Sequence, residues 1–225
     1  MINMTSTKEK LQRSDCFKLL SACFYSPDLD MLINEDVCGN LTALFEQVIP
    51  EAVPYVKQMQ QALHSYSEEK LKIAHAELFV GPFELQAPPY GSVYLERNNQ
   101  VMGKTTLEVI KKYKESGLKQ DIKEPADHIA IELEFMHYLY ALEAEALDSG
   151  NNAKVQSLAS IKNDFLSIYL APWIPKFCAK IRASADNIFY RSLADCLENF
   201  IEHEAATLPL INADGATKHA CQATV

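Results

Sequence analysis

Glycine is scarce in this chain, with seven among 225 residues. So few glycines leave little room for the left-handed turns of a turn-rich β architecture, and they favour helices with short connections. No lysine/arginine cluster occurs, and 21 basic residues face 30 acidic ones, for a formal net charge of −9. A generic nucleic-acid binder needs a basic face, so nucleic acid is not an expected partner. The acidic balance suits a cationic peptide, and it serves plain solubility equally well. None of the six cysteines forms a Cys-x-x-Cys pair, so neither a zinc nor a thioredoxin-like site has support. Cys16, Cys23, Cys178 and Cys196 fall within apolar helical patterns and read as small buried hydrophobes in a reducing compartment. No run approaches the roughly 20 apolar residues of a membrane span, and Met1 to Lys10 lacks a signal-peptide core. The expectation is a soluble cytoplasmic protein. No Gly-x-Ser-x-Gly elbow, phosphate-binding Gly-x-x-x-x-Gly-Lys-Ser/Thr or Gly-x-Gly-x-x-Gly is present.

What is present is helical period. Leu11, Phe17, Leu20 and Phe24 follow a Ser6/Glu9 capping box, and Tyr25-Ser26-Pro27 ends that segment. Leu41, Leu44, Phe45, Val48 and Ile49 form a second stripe closed by Pro50, and a third helix begins near Pro54. Ser65 with Glu68 suggests another capping box, opening a helix that carries Leu71, His75, Leu78 and Phe79 to the stop at Gly81-Pro82. Periodicity then vanishes over about residues 80–100, a proline-rich stretch unusually apolar for a connection. Thr105 reads as an N-cap for a helix with Leu107, Ile110 and Tyr113. Apolar residues from Ile129 to Leu142 cover two faces, which places that helix at the centre of a bundle. Three more helices carry Val155 to Ile168, Ile174 onward, and Ile188 to Ile201, with Pro175 in a first turn. The expected fold is all-α: a single bundle of about ten helices over residues 1–211, hinged by the 80–100 loop, with a polar disordered tail at 212–225. Such a hinge allows a monomer or a helix-swapped dimer.

Chemistry concentrates at Glu124-Pro125-Ala126-Asp127-His128. Pro125 holds Glu124 extended and presets a helix start, and Asp127 lies where a carboxylate can cap backbone N–H groups. One reading is a capped helix with a surface histidine beside it. The other is a polar cluster at a groove rim, where Glu124 and Asp127 accept guanidinium hydrogen bonds. A catalytic Asp127–His128 pair is disfavoured, because sequence neighbours on a helix diverge by about 100°. Glu134-Phe135-Met136-His137 offers half of a carboxylate-bridged metal site, but no other histidine follows a glutamate at that spacing. No metal or other cofactor is expected, and a metal-dependent or hydrolytic enzyme is the remote alternative.

Three ordered motifs carry a resemblance. They are Leu78-Phe79-Val80-Gly81-Pro82; Pro88-Pro89-Tyr90-Gly91-Ser92-Val93-Tyr94-Leu95 with Met102-Gly103-Lys104-Thr105-Thr106; and Glu124-Pro125-Ala126-Asp127-His128 with Glu132-Leu133-Glu134-Phe135-Met136. Together with Trp173-Ile174-Pro175-Lys176-Phe177 and Phe189-Tyr190-Arg191-Ser192-Leu193-Ala194, this set resembles the TorD/DmsD family of redox-enzyme maturation chaperones, related to nitrate-reductase assembly chaperones. The likeness runs from about Leu11 to Leu208. It implies a non-catalytic, all-helical, cytoplasmic chaperone. Its partner would be the twin-arginine signal peptide, and the apo form, of a molybdopterin oxidoreductase. An alternative is a chaperone that grips the mature enzyme body. The resemblance maps the binding surface onto Tyr25, Leu78, Phe79, Pro89, Tyr90, Pro125, Asp127 and His128, with His75 and Tyr90 where relatives that bind dimethyl-sulfoxide-reductase-type leaders often carry tryptophan. A twin-arginine leader has two arginines and then an apolar stretch, which can lie as a helix in a hydrophobic groove. Leu78 and Phe79 fit groove and core equally well, since one helix face does not distinguish them.

Overall fold

The apolar stripes close into helices in the computed structural model, which describes residues 4–81, 85–97, 100–118 and 124–208. Eleven α-helices and no strand occur among the described residues. They are α1 (Met4–Ala22), α2 (Leu29–Asn34), α3 (Val37–Val48), α4 (Val53–Ser65), α5 (Glu68–His75), α6 (Gly91–Leu95), α7 (Lys104–Glu115), α8 (Ile129–Asp148), α9 (Asn152–Phe165), α10 (Ile174–Ser184) and α11 (Ile188–Ala206). α1 lies along α8, α4 along α11, and α10 against α11. Helices on either side of the 80–100 segment therefore share one core, which holds Phe17, Phe45, Met136, Phe165, Trp173 and Phe200. Each large side chain buried there contributes about 1.5–3 kcal/mol. α8 is the central element: Ile129, Leu133, Phe135, Met136, Leu139 and Tyr140 are all buried around its wide apolar arc.

Several helix ends differ from the sequence expectation. Ser6 lies inside α1 rather than before it. Ser67, not Ser65, caps α5, accepting from Lys70 N at 3.3 Å. Ser65 is the last residue of α4, and its hydroxyl donates back to Gln61 O. α7 starts at Lys104, and the N–H of Thr105 donates to the Glu96 carboxylate at 2.7 Å. A distant carboxylate thus takes the role a local threonine hydroxyl was expected to fill. The inward face of α7 is Thr106, Val109 and Tyr113, and Leu107 is 67% exposed. Two short helices, α2 and α6, have no apolar stripe long enough to announce them.

The described parts of the 80–100 segment are held against the bundle. Ala87 N donates to Leu78 O at 2.9 Å, and Ala87 is fully buried. The hinge expected there includes residues 82–84 and 98–99, which lie outside the described residues, as does the expected tail at 212–225. α5 runs on into a π-turn, Ala76–Val80, closed by the N–H of Gly81 on Ala76 O. Gly81 has φ +51°, which glycine adopts without penalty.

The inner half of α8 carries buried charge. Glu143 takes Lys162 and Lys10 (3.0 Å for the latter), and Glu204 of α11 takes Arg13 and the Tyr140 hydroxyl. Lys162 Nζ also sits 4.0 Å above the Tyr140 ring. Burial pushes the Lys162 ammonium down to about 8, and Lys10 adds to the shift while Glu143 opposes it. These pairs tie α1, α8, α9 and α11 together with few unpaired partners.

Candidate functional site

The start of α8 is built by two chain segments that hydrogen-bond to each other. Ile129 N donates to Pro89 O at 2.8 Å, and Gly91 N donates to Asp127 O at 2.9 Å. Tyr90 and His128 face each other across this isolated antiparallel bridge. A Cβ on residue 91 would meet Trp173 Nε1 at 3.1 Å and Glu132 Oε1 at 3.4 Å, so a side chain there would press on the buried indole.

Asp127 lies behind this bridge. It is fully buried, and its Oδ2 accepts from Ser92 N at 2.7 Å. The carboxylate therefore caps α6, not the helix that follows it, and it does not face solvent where a guanidinium could reach it. Its Oδ1 has no partner within the described residues. The N-cap of α8 is His128, whose Nδ1 accepts from Ala130 N at 3.2 Å. That bond needs an unprotonated Nδ1. Burial pushes the imidazole down to about 4, with His75 adding to the shift and Asp127 opposing it, so the ring is neutral near pH 7. Below the bridge, Glu132 is fully buried and accepts from Trp173 Nε1 at 3.1 Å. Burial, and then Asp127, hold its carboxyl well above the ordinary carboxylate range.

In front of the bridge is a hollow of about 340 Å³. Its floor is aromatic. His75 and Phe79 are buried side by side, edge to face at 5.2 Å, and His75 Nε2 meets Phe24 O at 3.3 Å. Burial also lowers the His75 pKa, so this second imidazole is neutral as well. The walls are Tyr25 and Tyr90, which flank His128: Tyr25 stacks on it at 6.3 Å and Tyr90 meets it edge-on at 5.5 Å. Both hydroxyls point at exposed carboxylates. Tyr25 donates to Glu134 Oε1 at 3.0 Å, and Tyr90 donates to Glu124 Oε2 at 3.3 Å. Burial and the neighbouring Glu124 push the Tyr90 phenol up to about 12, so it remains a donor. Val80, 60% exposed, stands at the mouth. No cation pairs with Glu124 or Glu134 among the described residues. The arrangement offers an oily, half-open cleft with one unpaired carboxylate, Glu124, in its lining and a second, Glu134, on the hydroxyl of its Tyr25 wall.

The sequence-predicted residues thus divide. Tyr25, His75, Phe79, Tyr90, Glu124 and His128 line one hollow. Leu78 is buried and points toward a separate concavity beside Ile73 and Asn187. Pro89 and Asp127 lie behind the wall, and Pro125, half-buried, accepts from His128 N in the turn. Sequence reasoning missed Phe24, Ser26, Val80 and Leu85 in the lining, and the one chemical role it weighed for Glu134 was that of a metal ligand. Glu134 binds Tyr25, whereas His137 three residues on meets the Ser14 hydroxyl at 2.8 Å, so the two serve separate contacts.

Comparison with known proteins agrees with this architecture. The family profile described as nitrate reductase delta subunit matches residues 46–179. The Tat proofreading chaperone DmsD of Salmonella typhi is 29% identical over 196 residues, covering 81% of this chain and 85% of that protein. The chaperone protein TorD of Vibrio parahaemolyticus is 31% identical over 151 residues, covering 65% and 68% respectively. A crystal structure described as a redox enzyme maturation protein of Archaeoglobus fulgidus superposes with a TM-score of 0.54 at 26% identity, covering 84% of this chain and 93% of that one. With more than half of its length inside the profile, the chain belongs to the nitrate reductase delta subunit family, among the TorD/DmsD redox-enzyme maturation chaperones.

Proposed function

We propose that this protein is a cytoplasmic maturation chaperone that binds the twin-arginine signal peptide of a molybdopterin oxidoreductase and acts by binding, not by catalysis. The names of its relatives support the class of client: one is a Tat proofreading chaperone. The observation that carries the reading is the hollow itself, an aromatic floor edged by Glu124, with Glu134 held on the hydroxyl of the wall residue Tyr25, both without cationic partners among the described residues. Two adjacent arginines bring the matching charge, in a geometry that carboxylates accept bidentately. The apolar stretch behind them can cover His75, Phe79 and Val80. Neutral His75 and His128 keep the floor free of competing positive charge near pH 7. No described helix is long and apolar enough to cross a membrane.

The test is calorimetric titration with a twin-arginine leader and with the same peptide carrying Ala-Ala in place of the arginines. The expected result is saturable binding of the first, weakened about tenfold or more in the second. Binding of the leaderless enzyme body with no response to either peptide would replace this reading with the body-gripping chaperone.

A further inference from the structure

Beside the tyrosine-walled hollow lies a second one of about 400 Å³, and Leu85 lines both. Pro88, Val93 and Tyr94 form its apolar side, and Lys176 and Lys180 of α10 form its rim. The i, i+4 spacing places both lysines on one exposed stripe of α10, while Phe177, Cys178 and Ile181 turn inward. Lys180 Nζ hangs 5.5 Å above the Tyr94 ring. Neither lysine has a carboxylate partner among the described residues. In a chain of net charge −9, two unpaired ammonium groups edging an apolar hollow are a local reversal of sign. The 85–94 segment thus walls two adjoining hollows of opposite polarity: acid-rimmed on the Tyr90 side, base-rimmed on the Tyr94 side.

A leader with arginines ahead of an apolar helix has opposite polarity at its two ends. The front carries guanidinium charge. The last turn of the helix carries unpaired carbonyls and the negative end of the peptide dipole, which cations stabilise. Only one direction of lying matches both ends. We propose that a bound leader spans both hollows over Leu85 with a fixed polarity, its arginines at Glu124 and Glu134 and the C-terminal end of its apolar helix at Lys176 and Lys180. This rests on the leader-binding reading and adds the direction and the second subsite.

The full-length protein tests it with two leader peptides, each carrying a photoreactive phenylalanine analogue, one just ahead of the arginines and one just after the apolar stretch. Expected labelling is near Tyr25 and Tyr90 for the first and near Tyr94, Lys176 and Lys180 for the second. Swapped labelling, or both probes on one hollow, overturns the proposal while leaving leader binding intact. Absence of binding by both peptides removes the leader reading and this proposal together. A second measurement uses the doubly charge-reversed variant Lys176→Glu/Lys180→Glu, whose two sites are exposed and do not threaten the fold. It should bind the leader about 3–10-fold more weakly, and a leader given two lysines after its apolar stretch should recover that loss. Equal affinity of the variant and the unaltered protein for both peptides sinks the second subsite.

Discussion

The two ends of α8 treat charge in opposite ways. Toward its C-terminal end, Tyr140 and Glu143 belong to a network in which each buried ion meets an opposite one: Lys10 and Lys162 on Glu143, Arg13 on Glu204. At its N-terminal end, among the described residues, Asp127 Oδ1 and Glu132 Oε1 have no partner and exposed Glu124 and Glu134 have no cation. Low dielectric makes paired buried ions a structural clamp and leaves unpaired ones costly. The difference teaches that the distal end locks four helices, and the proximal end keeps its two exposed carboxylates, Glu124 and Glu134, available.

Disrupting the locked end should give the largest effect. Glu143→Ala strands a buried ammonium at Lys162 and should cost about 3–5 kcal/mol in urea unfolding, without altering leader affinity in the protein that remains folded. At the open end, His128 gives a pH-dependent contrast. The unfolded imidazole binds a proton below about pH 6.5, whereas the folded one resists until about 4. The unfolded state thus holds more protons in that window, so stability falls as pH drops through it, by roughly 3 kcal/mol from this group. His128→Gln should flatten that acid slope relative to the unaltered protein, measured by urea unfolding at several pH values. Glu124→Lys/Glu134→Lys should weaken leader binding by about 1–2 kcal/mol in calorimetry and leave the melting temperature nearly unchanged, since both side chains are exposed. A clear drop in melting temperature there would erase the distinction between the two ends. The smallest effect belongs to Glu132→Gln. The folded carboxyl stays protonated above the pH at which the unfolded one ionises, so its stabilising share is lost as pH rises past the unfolded value. A neutral isostere that can still accept from Trp173 should raise the melting temperature by a few degrees at pH 8 and hardly at all at pH 4.

The bundle was legible because its long helices carry long stripes. α8 shows apolar residues on so wide an arc that only a central position satisfies them. Short pieces were not legible: α2 and α6 are too brief for a period to emerge. Caps were misread where a remote group won. Glu96 serves α7, and Asp127 serves α6 from across a bridge, neither of which local spacing can announce. On α7 the sequence stripe of Leu107, Ile110 and Tyr113 gave way to Thr106, Val109 and Tyr113, because the Tyr113 hydroxyl binds Ala126 O, a contact visible only in three dimensions. Within the candidate site, Tyr90 and His128 stand in the motifs and Tyr25 in the resemblance, but the packing of both tyrosines on the His128 ring joins residues 103 and 38 positions apart in the chain.

The chain has one tryptophan, and Trp173 is fully sealed, stacked at 5.5 Å on Tyr94 and bonded to Glu132. Its indole therefore emits from a dry environment, one aromatic ring removed from the lysine-edged hollow. Intrinsic fluorescence is consequently a label-free optical probe of that hollow, with the dye already built into the wall.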